Sequence, residues 1–250
     1  MFPLGRPIAA STSFHPTLKR LFLLIPALLS LIPGLSAQDL SSYFPFPDSG
    51  KASYLVFEIE GDQRLYYEKQ QSEGDRLIIE RRDEEMRLVE YRVLRRNESG
   101  IEIEQFVSYL VDSAGNTIPV FAELEDVQVL LWQMEDSRLM RSWTESRRMD
   151  SRMAGLRVEV ERILLPGTDT IEILNQNRPV IQVNDLIRLE FRDRRDEPIG
   201  EDFILDFVSY AEGLGPVLSR RQFSDGTSRS EKLVKILNES DWERLTYDKK

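Results

Sequence analysis

The stretch LRVEVE, residues 156–161, shows the pattern that decides the fold class of this chain. Apolar side chains at every second position alternate with arginine and glutamate. Successive side chains of a β-strand point to opposite faces, so this alternation predicts a strand with one face on a core and the other toward water. The same period-two alternation recurs at residues 55–60, 88–93, 101–104 and 187–192. Its repetition predicts an all-β protein.

The segments between the alternating stretches have the composition of tight turns. Glycine stands beside small or polar residues in EGDQ (Glu60–Gln63), SEGD (Ser72–Asp75), NESG (Asn97–Gly100) and SAGN (Ser113–Asn116). Such residues accept the positive φ angles of hairpin turns, and turns spaced by about ten residues are typical of meanders, sandwiches and barrels. We therefore expect a curved antiparallel sheet, either a half-barrel or a sandwich, of about ten to twelve strands.

One long segment, residues 131–153, breaks the alternation. Its sequence is LWQMEDSRLMRSWTESRRMDSRM, and most of its residues favour helix. It predicts a strand end followed by one short helical or irregular crossover within a single β domain spanning residues 38–250.

The same crossover segment holds the candidate for a lid or a plug. Its large adaptable side chains include Trp132, Met134, Met140 and Trp143. A half-barrel needs cover on its open side, and methionine adapts to irregular apolar surfaces. We expect the segment to pack over the mouth of the sheet with its arginines, Arg141 among them, toward water. A permanent plug and a movable lid both fit this pattern.

A Gly-x-Gly-Pro sequence, Gly213 to Pro216, lies between two further strand-like stretches. Glycine inside a strand pattern marks a bulge, a bend or a tight turn. We expect Gly213, Gly215 and Pro216 to form a structural corner, with at least one glycine at positive φ. A phosphate-binding loop is disfavoured, because no helical pattern follows to supply backbone amides.

The N-terminal 37 residues have the features of a secretory signal peptide. Lys19 and Arg20 precede the apolar run LFLLIPALLSLIPGL (Leu21–Leu35), and small residues follow. The run is shorter than the roughly 20 residues of a spanning helix, which disfavours a membrane anchor. We expect cleavage between Ala37 and Gln38. The long basic region leaves the position of the true start codon open.

The composition of residues 38–250 limits their location and partners. The chain has no cysteine, so it has neither disulfides nor the thiol of a bacterial lipid anchor. Three of the chain's 33 basic residues (Arg6, Lys19 and Arg20) and none of its 43 acidic ones precede residue 38, so residues 38–250 have 30 basic residues against 43 acidic ones and a net charge of −13. This balance disfavours nucleic-acid binding. We expect a periplasmic or secreted domain.

The residue types also restrict the chemistry. The chain's one histidine, His15, lies in the signal segment. Without cysteine or histidine in the mature chain, the common zinc sites, thiol nucleophiles and Ser-His-Asp triads cannot form. Acidic clusters at residues 81–87 and 192–198 contain arginines that lower carboxyl pKa values, whereas a glycosidase acid needs a raised pKa. We predict no catalytic residue, metal site or cofactor.

Two short motifs carry a family resemblance. YFPF (Tyr43–Phe46) opens the domain and YAEGLGPV (Tyr210–Val217) lies near its end. Together they resemble a family of exported bacterial β-proteins of unknown function, similar in outline to the LolA/LolB-type half-barrels that carry lipoproteins across the periplasm. The resemblance implies a curved antiparallel sheet and brings no catalytic residue.

These observations favour a non-enzymatic exported envelope protein. One form is a carrier half-barrel that holds a lipid or another apolar ligand against its concave face. The alternative is an assembly module with a filled interior that binds an envelope protein through its surface. A carboxylate-based hydrolase is the third choice.

Overall fold

A computed structural model of the chain describes residues 40–48, 50–111, 115–132, 138–146, 154–165 and 168–248. The predicted signal segment, with its cleavage site between Ala37 and Gln38, lies outside these residues.

The described residues form an almost entirely β structure, which confirms the predicted fold class. A 3-10 turn at Ser41–Tyr43 precedes the strands, and one helix, α1 (Glu239–Asp248), follows them. The strands are β1 (Ala52–Ile59), β2 (Leu65–Glu73), β3 (Arg76–Arg82), β4 (Leu88–Arg96), β5 (Gly100–Val111), β6 (Thr117–Asp126), β7 (Gln128–Leu131), β8 (Arg138–Ser146), β9 (Gly155–Leu164), β10 (Asp169–Ile173), β11 (Gln176–Arg192), β12 (Pro198–Ala211), β13 (Gly215–Phe223) and β14 (Ser228–Leu237).

All strand pairings among these residues are antiparallel, and the sheet closes on itself. The order runs β11, β12, β13, β14, β1, β2, β3, β4, β5, β6, β8, β9, and β9 then pairs with β11. This last pairing turns the expected half-barrel into a closed ring of 12 strands. The two short strands sit beside the ring, β7 on β5 and β10 on β11.

Irregularities in register help the sheet to curve. The pairing shifts between Val56 and Phe57, between Val93 and Leu94, and between Ser209 and Tyr210. A β-bulge of this kind bends its strand and increases the local twist. Repeated bulges therefore favour closure of the ring.

The helical or irregular crossover predicted for residues 131–153 is wrong over its central part. Residues 138–146 form strand β8, which pairs with β6 on one edge and β9 on the other. Hydrogen-bond ladders on both edges outweigh a weak helix propensity. Residues 133–137 and 147–153 lie outside the described part of the chain.

The interior of the ring combines apolar clusters with buried polar groups, and the helix packs outside it. Leu55 and Phe57 of β1 belong to an interior cluster, whereas Tyr54 and Val56, on the opposite face, contact α1. The ring of Trp242 stacks on Tyr54 with centroids 5.0 Å apart. Among the described residues, no helix is both long and apolar enough to cross a membrane.

Candidate functional site

The glycine corner contacts the segment that precedes β1. Gly213 and Gly215, in and after the turn between β12 and β13, have φ angles of 74° and 84°. The Gly213 amide donates a hydrogen bond of 2.8 Å to the carbonyl oxygen of Ser42. A β-carbon on Gly215 would lie 3.8 Å from Cδ of Pro45. The corner thus packs against residues 40–46, which we call the N-terminal segment.

Aromatic stacking fixes the N-terminal segment in the core. The ring of Phe44 lies 4.5 Å from that of Tyr210, centroid to centroid. The Arg96 guanidinium lies over the Phe46 ring at 4.1 Å, a cation–π distance. The YFPF and YAEGLGPV motifs, far apart in sequence, therefore pack against each other.

The N-terminal segment forms one wall of a cavity in the ring, with a volume of about 110 Å³. Apolar side chains from β3, β4 and β5 form a second wall, among them Leu77, Leu94 and Ile103. The polar part of the lining comes from Glu68, Gln70, Arg92, Arg141, Arg162 and Tyr210, and Val129, Gly215 and Pro216 complete the lining. The cavity therefore joins an apolar side to a charged one.

Two arginines at the polar side share one buried carboxylate. Arg162 donates from Nε and Nη2 to the two oxygens of Asp185, each at 2.7 Å. Arg141 donates from Nη2 to Oδ2 of Asp185 at 2.9 Å. A third Arg162 donor, Nη1, bonds the carbonyl oxygen of Val129 at 3.2 Å. Because Asp185 is almost wholly buried, both arginines depend on it for charge compensation.

The two arginines differ in their electrostatic environment. Burial opposes the charge of Arg162, but Tyr210 and Asp185 outweigh it and raise the pKa of Arg162 above its ordinary value. Burial lowers the pKa of Arg141 to about 10, and the neighbouring Arg162 adds to this effect. Burial also opposes the charge of Asp185, yet Arg162 and Arg141 hold its pKa below the usual range. Arg141 is thus the less compensated cation.

Arg141 also has an unused donor. Its Nε is buried and has no hydrogen-bond partner among the residues that the structure describes. Its side chain is only 14% exposed, so water reaches little of it. A buried charged donor without an acceptor is costly. The site therefore favours a negatively charged or strongly accepting group next to Arg141.

The carboxylate of Glu68 is the acidic group in the cavity lining. It accepts a hydrogen bond of 2.6 Å from Gln70 and lies 3.7 Å from Nη2 of Arg92. Arg92 also lies 2.6 Å from Glu90. The lining thus holds three guanidiniums and one carboxylate, with Asp185 shared between two of the arginines. Arg92 thus has two carboxylates near it, whereas Arg141 and Arg162 share one.

Three of the four residues of the candidate lid or plug belong to the described part of the chain. Trp132 follows β7, is half-buried and donates from Nε1 to the carbonyl oxygen of Asn97 at 3.0 Å. Trp143 lies in β8 and packs beside Val158. Met140 also lies in β8, and Met134 lies outside the described residues. The lid and the plug stay predictions.

The orientation expected for Arg141 is wrong. Sequence analysis placed it toward water with the other arginines of residues 131–153, but it lies inside the ring. The physical reason is the period of β8: as a strand, it places Leu139, Arg141 and Trp143 on one face, and that face is inward.

Sequence reasoning also missed Arg162 and Asp185, although the sequence carries a signal for both. Leu156, Val158 and Val160 mark the inward face of β9, and Arg162 is the next residue on that face. Asp185 likewise occupies an inward position of β11. A charged residue in register with buried apolar ones predicts a buried ion pair, and the two charges stand opposite each other.

The outer surface offers a different feature, the outer apolar stripe. It consists of large exposed side chains on two neighbouring strands: Leu186, Ile199, Phe203, Leu205 and Phe207. Leu186 and Leu205 are direct cross-strand partners. A groove of about 740 Å³ adjoins the stripe at Phe207 and also contains Arg220. Contiguous exposed apolar side chains are typical of interaction surfaces.

Comparisons with known proteins give a partial structural likeness and no sequence match. No protein-family model matches the chain, and no curated protein sequence matches it. Two solved structures are similar in part. A candidate lipoprotein from Parabacteroides distasonis has a TM-score of 0.46 and 7% identity, covering 78% of this chain and 98% of its own. A candidate exported protein with a YmcC-like fold from Bacteroides fragilis has a TM-score of 0.32 and 13% identity, covering 76% and 97%.

Proposed function

We propose that this chain is a non-enzymatic exported envelope protein that binds a small, partly apolar ligand in the cavity of its ring. The observation that carries the proposal is the cavity's mixed lining, in which aromatic and aliphatic side chains share one space with the guanidinium-bearing Arg141, 14% exposed. Ligand sites combine mostly apolar walls with a few placed polar groups in this way. The apolar run Leu21–Leu35, with the small residues after it, supports export to the periplasm or beyond.

The cavity's volume sets the size of the ligand. A cavity of about 150 Å³ accommodates benzene, so one of about 110 Å³ suits a molecule of roughly four to six non-hydrogen atoms. Pockets for larger ligands usually span about 300–1,000 Å³. The cavity is therefore too small for the acyl chain of a membrane lipid, and the proposed ligand is a small molecule.

The state of the buried carboxylate supports a binding role over hydrolysis. Carboxyl groups that act as general acids need a raised pKa, whereas arginines hold the pKa of Asp185 down. Its oxygens are occupied by hydrogen bonds from Arg162 and Arg141. Asp185 is suited to positioning the arginines.

Binding of small molecules by the purified protein tests the proposal. Protein-observed NMR titrations with butan-1-ol, butanamide and butanoate should show saturable binding of at least one molecule, with shifts at Phe44 and Ile103. Val129→Phe fills the cavity from its lining and should weaken that binding about tenfold or more, because the ligand's space is lost. Val234→Phe, at an exposed position on β14, is the matched control and should leave binding unchanged. Failure of all three molecules to bind would reject the proposal.

A second candidate, an assembly module of the envelope, is favoured by the outer apolar stripe. Under this proposal Leu205 and Phe207 contact a partner protein, and the interior only stabilises the fold. A photo-crosslinking amino acid at position 205 should then give one discrete product in intact cells. Phe207→Ser should abolish that product, whereas Val234→Ser, at an exposed site away from the stripe, should not. A product that persists in Phe207→Ser would count against this candidate.

A further inference from the structure

We infer that the ligand of the cavity is a short-chain carboxylate whose oxygen accepts the Nε–H of Arg141 while its alkyl chain lies against Phe44 and the side chains of β3 to β5. The inference rests on the proposed binding function and adds the chemical class of the ligand.

The first step of the argument is the unequal pairing of the two arginines. Arg162 has three of its donors bonded, two to Asp185 and one to a backbone carbonyl. Arg141 has one described bond to the same carboxylate, and its buried Nε has no described partner. One carboxylate cannot neutralise two buried guanidiniums, so a second negative charge near Arg141 would restore balance.

The second step is the geometry of the walls. Phe44, Phe46 and the aliphatic side chains of β3, β4 and β5 offer no charge to a ligand, whereas Arg92 of β4, Arg141 of β8 and Arg162 of β9 bring guanidiniums to the same lining. A molecule with one charged end and one apolar end matches both sides at once. An inorganic anion would form hydrogen bonds with the arginines but leave the apolar wall without a partner. A hydrocarbon would contact the apolar wall but leave the arginines without an acceptor.

The third step is the volume, which separates carboxylates by length. Roughly four to six non-hydrogen atoms correspond to propanoate or butanoate. Glu68 would repel a carboxylate, but Gln70 and Arg92 already engage it. The hydrogen bond between the ligand's carboxylate and Arg141 therefore outweighs the repulsion from Glu68, because hydrogen bonds between two charged groups are among the strong ones in proteins.

Butanoate and butanamide provide the test, since they have nearly the same shape and differ in charge at pH 7. Affinities measured by NMR titration should show butanoate binding about tenfold or more tightly than butanamide, as expected for a charge-assisted hydrogen bond. Arg141→Met keeps much of the side-chain volume and should remove this preference while butanamide binding persists. Arg188→Met, at a half-exposed outward arginine, should leave the preference intact.

The outcomes separate this inference from the proposal on which it rests. Equal binding of butanoate and butanamide to the unaltered protein would overturn the inference and leave the binding function standing. Binding of butan-1-ol alone would likewise overturn only the inference, whereas absence of binding by all three molecules would overturn the two together. A preference for butanoate that survives in Arg141→Met would also overturn the inference, because another cation would then hold the carboxylate.

Discussion

Arg162 and Asp185 stand directly opposite each other on β9 and β11, joined by two hydrogen bonds of 2.7 Å. The pairing of β9 with β11 is the one that closes the ring. The buried ion pair therefore lies on the closing seam, and the same carboxylate also holds Arg141 at the cavity. Asp185 thus contributes both to the seam between β9 and β11 and to the candidate site.

Replacement of Asp185 by asparagine should therefore destabilise the protein strongly. Asp185→Asn leaves Arg162 and Arg141 buried without a countercharge, and breaking a buried pair in this way costs about 3–5 kcal/mol. Urea unfolding followed by circular dichroism measures the change in the free energy of unfolding. Asp48→Asn is the control, because the ion pair of Asp48 with Lys51 is exposed and its loss should change the free energy of unfolding little. Equal losses in the two variants would show that the seam pair contributes little.

The same carboxylate predicts a specific acid sensitivity. The folded-state pKa of Asp185 is depressed, so its contribution to stability is complete above the unfolded pKa of about 3.9 and is lost as the pH falls through the folded value. Exposed Asp193 and Asp225 also have lowered pKa values, so the unaltered protein alone cannot isolate the effect. Unfolding free energies measured from pH 6 to pH 2 should fall more steeply in the unaltered protein than in Asp185→Asn. Parallel curves would contradict the assignment.

The glycine corner should tolerate a β-carbon poorly. Gly213→Ala and Gly215→Ala each place a side chain at positive φ and should lower the free energy of unfolding by about 1 kcal/mol or more. Gly200→Ala in β12 serves as the control, since Gly200 does not have a positive φ and its added β-carbon would make only an ordinary contact with Phe191 at 3.9 Å. Thermal melts compare the three variants. Unchanged melting temperatures for both corner variants would show that the corner does not require glycine.

The N-terminal segment should behave as part of the core. Phe44 is buried against Tyr210, so Phe44→Ala should cost about 3–5 kcal/mol through lost burial and a new cavity. Phe203→Ala removes an aromatic ring that is 40% exposed and should cost far less. Chemical denaturation measures both. A small effect of Phe44→Ala would indicate that the segment packs only loosely on the ring.

The sequence predicted the class of fold, because alternation and turn composition are local signals. The alternation correctly predicted that Leu156, Val158 and Val160 lie on one buried face of a strand. Closure of the ring was not predictable in this way, since it depends on the pairing of β9 with β11, whose register no local pattern specifies. Residues 138–146 were misread because helix propensity is weak against two neighbouring strands. The site was missed for a related reason. Because residues 138–146 were expected to form a helical or irregular crossover, the side chain of Arg141 was expected to point toward water.

The central claim is that a small carboxylate lies in the cavity against Arg141, and a crystal structure with 3-bromopropanoate tests it most directly. The bromine gives an anomalous signal at the alkyl end, and the chain has no cysteine that the reagent could alkylate. We predict one strong bromine peak among Phe44, Leu77 and Ile103, with the carboxylate within hydrogen-bond distance of Arg141 Nε. Bromine found only on the outer surface, with the cavity unchanged at saturating ligand, would contradict the account.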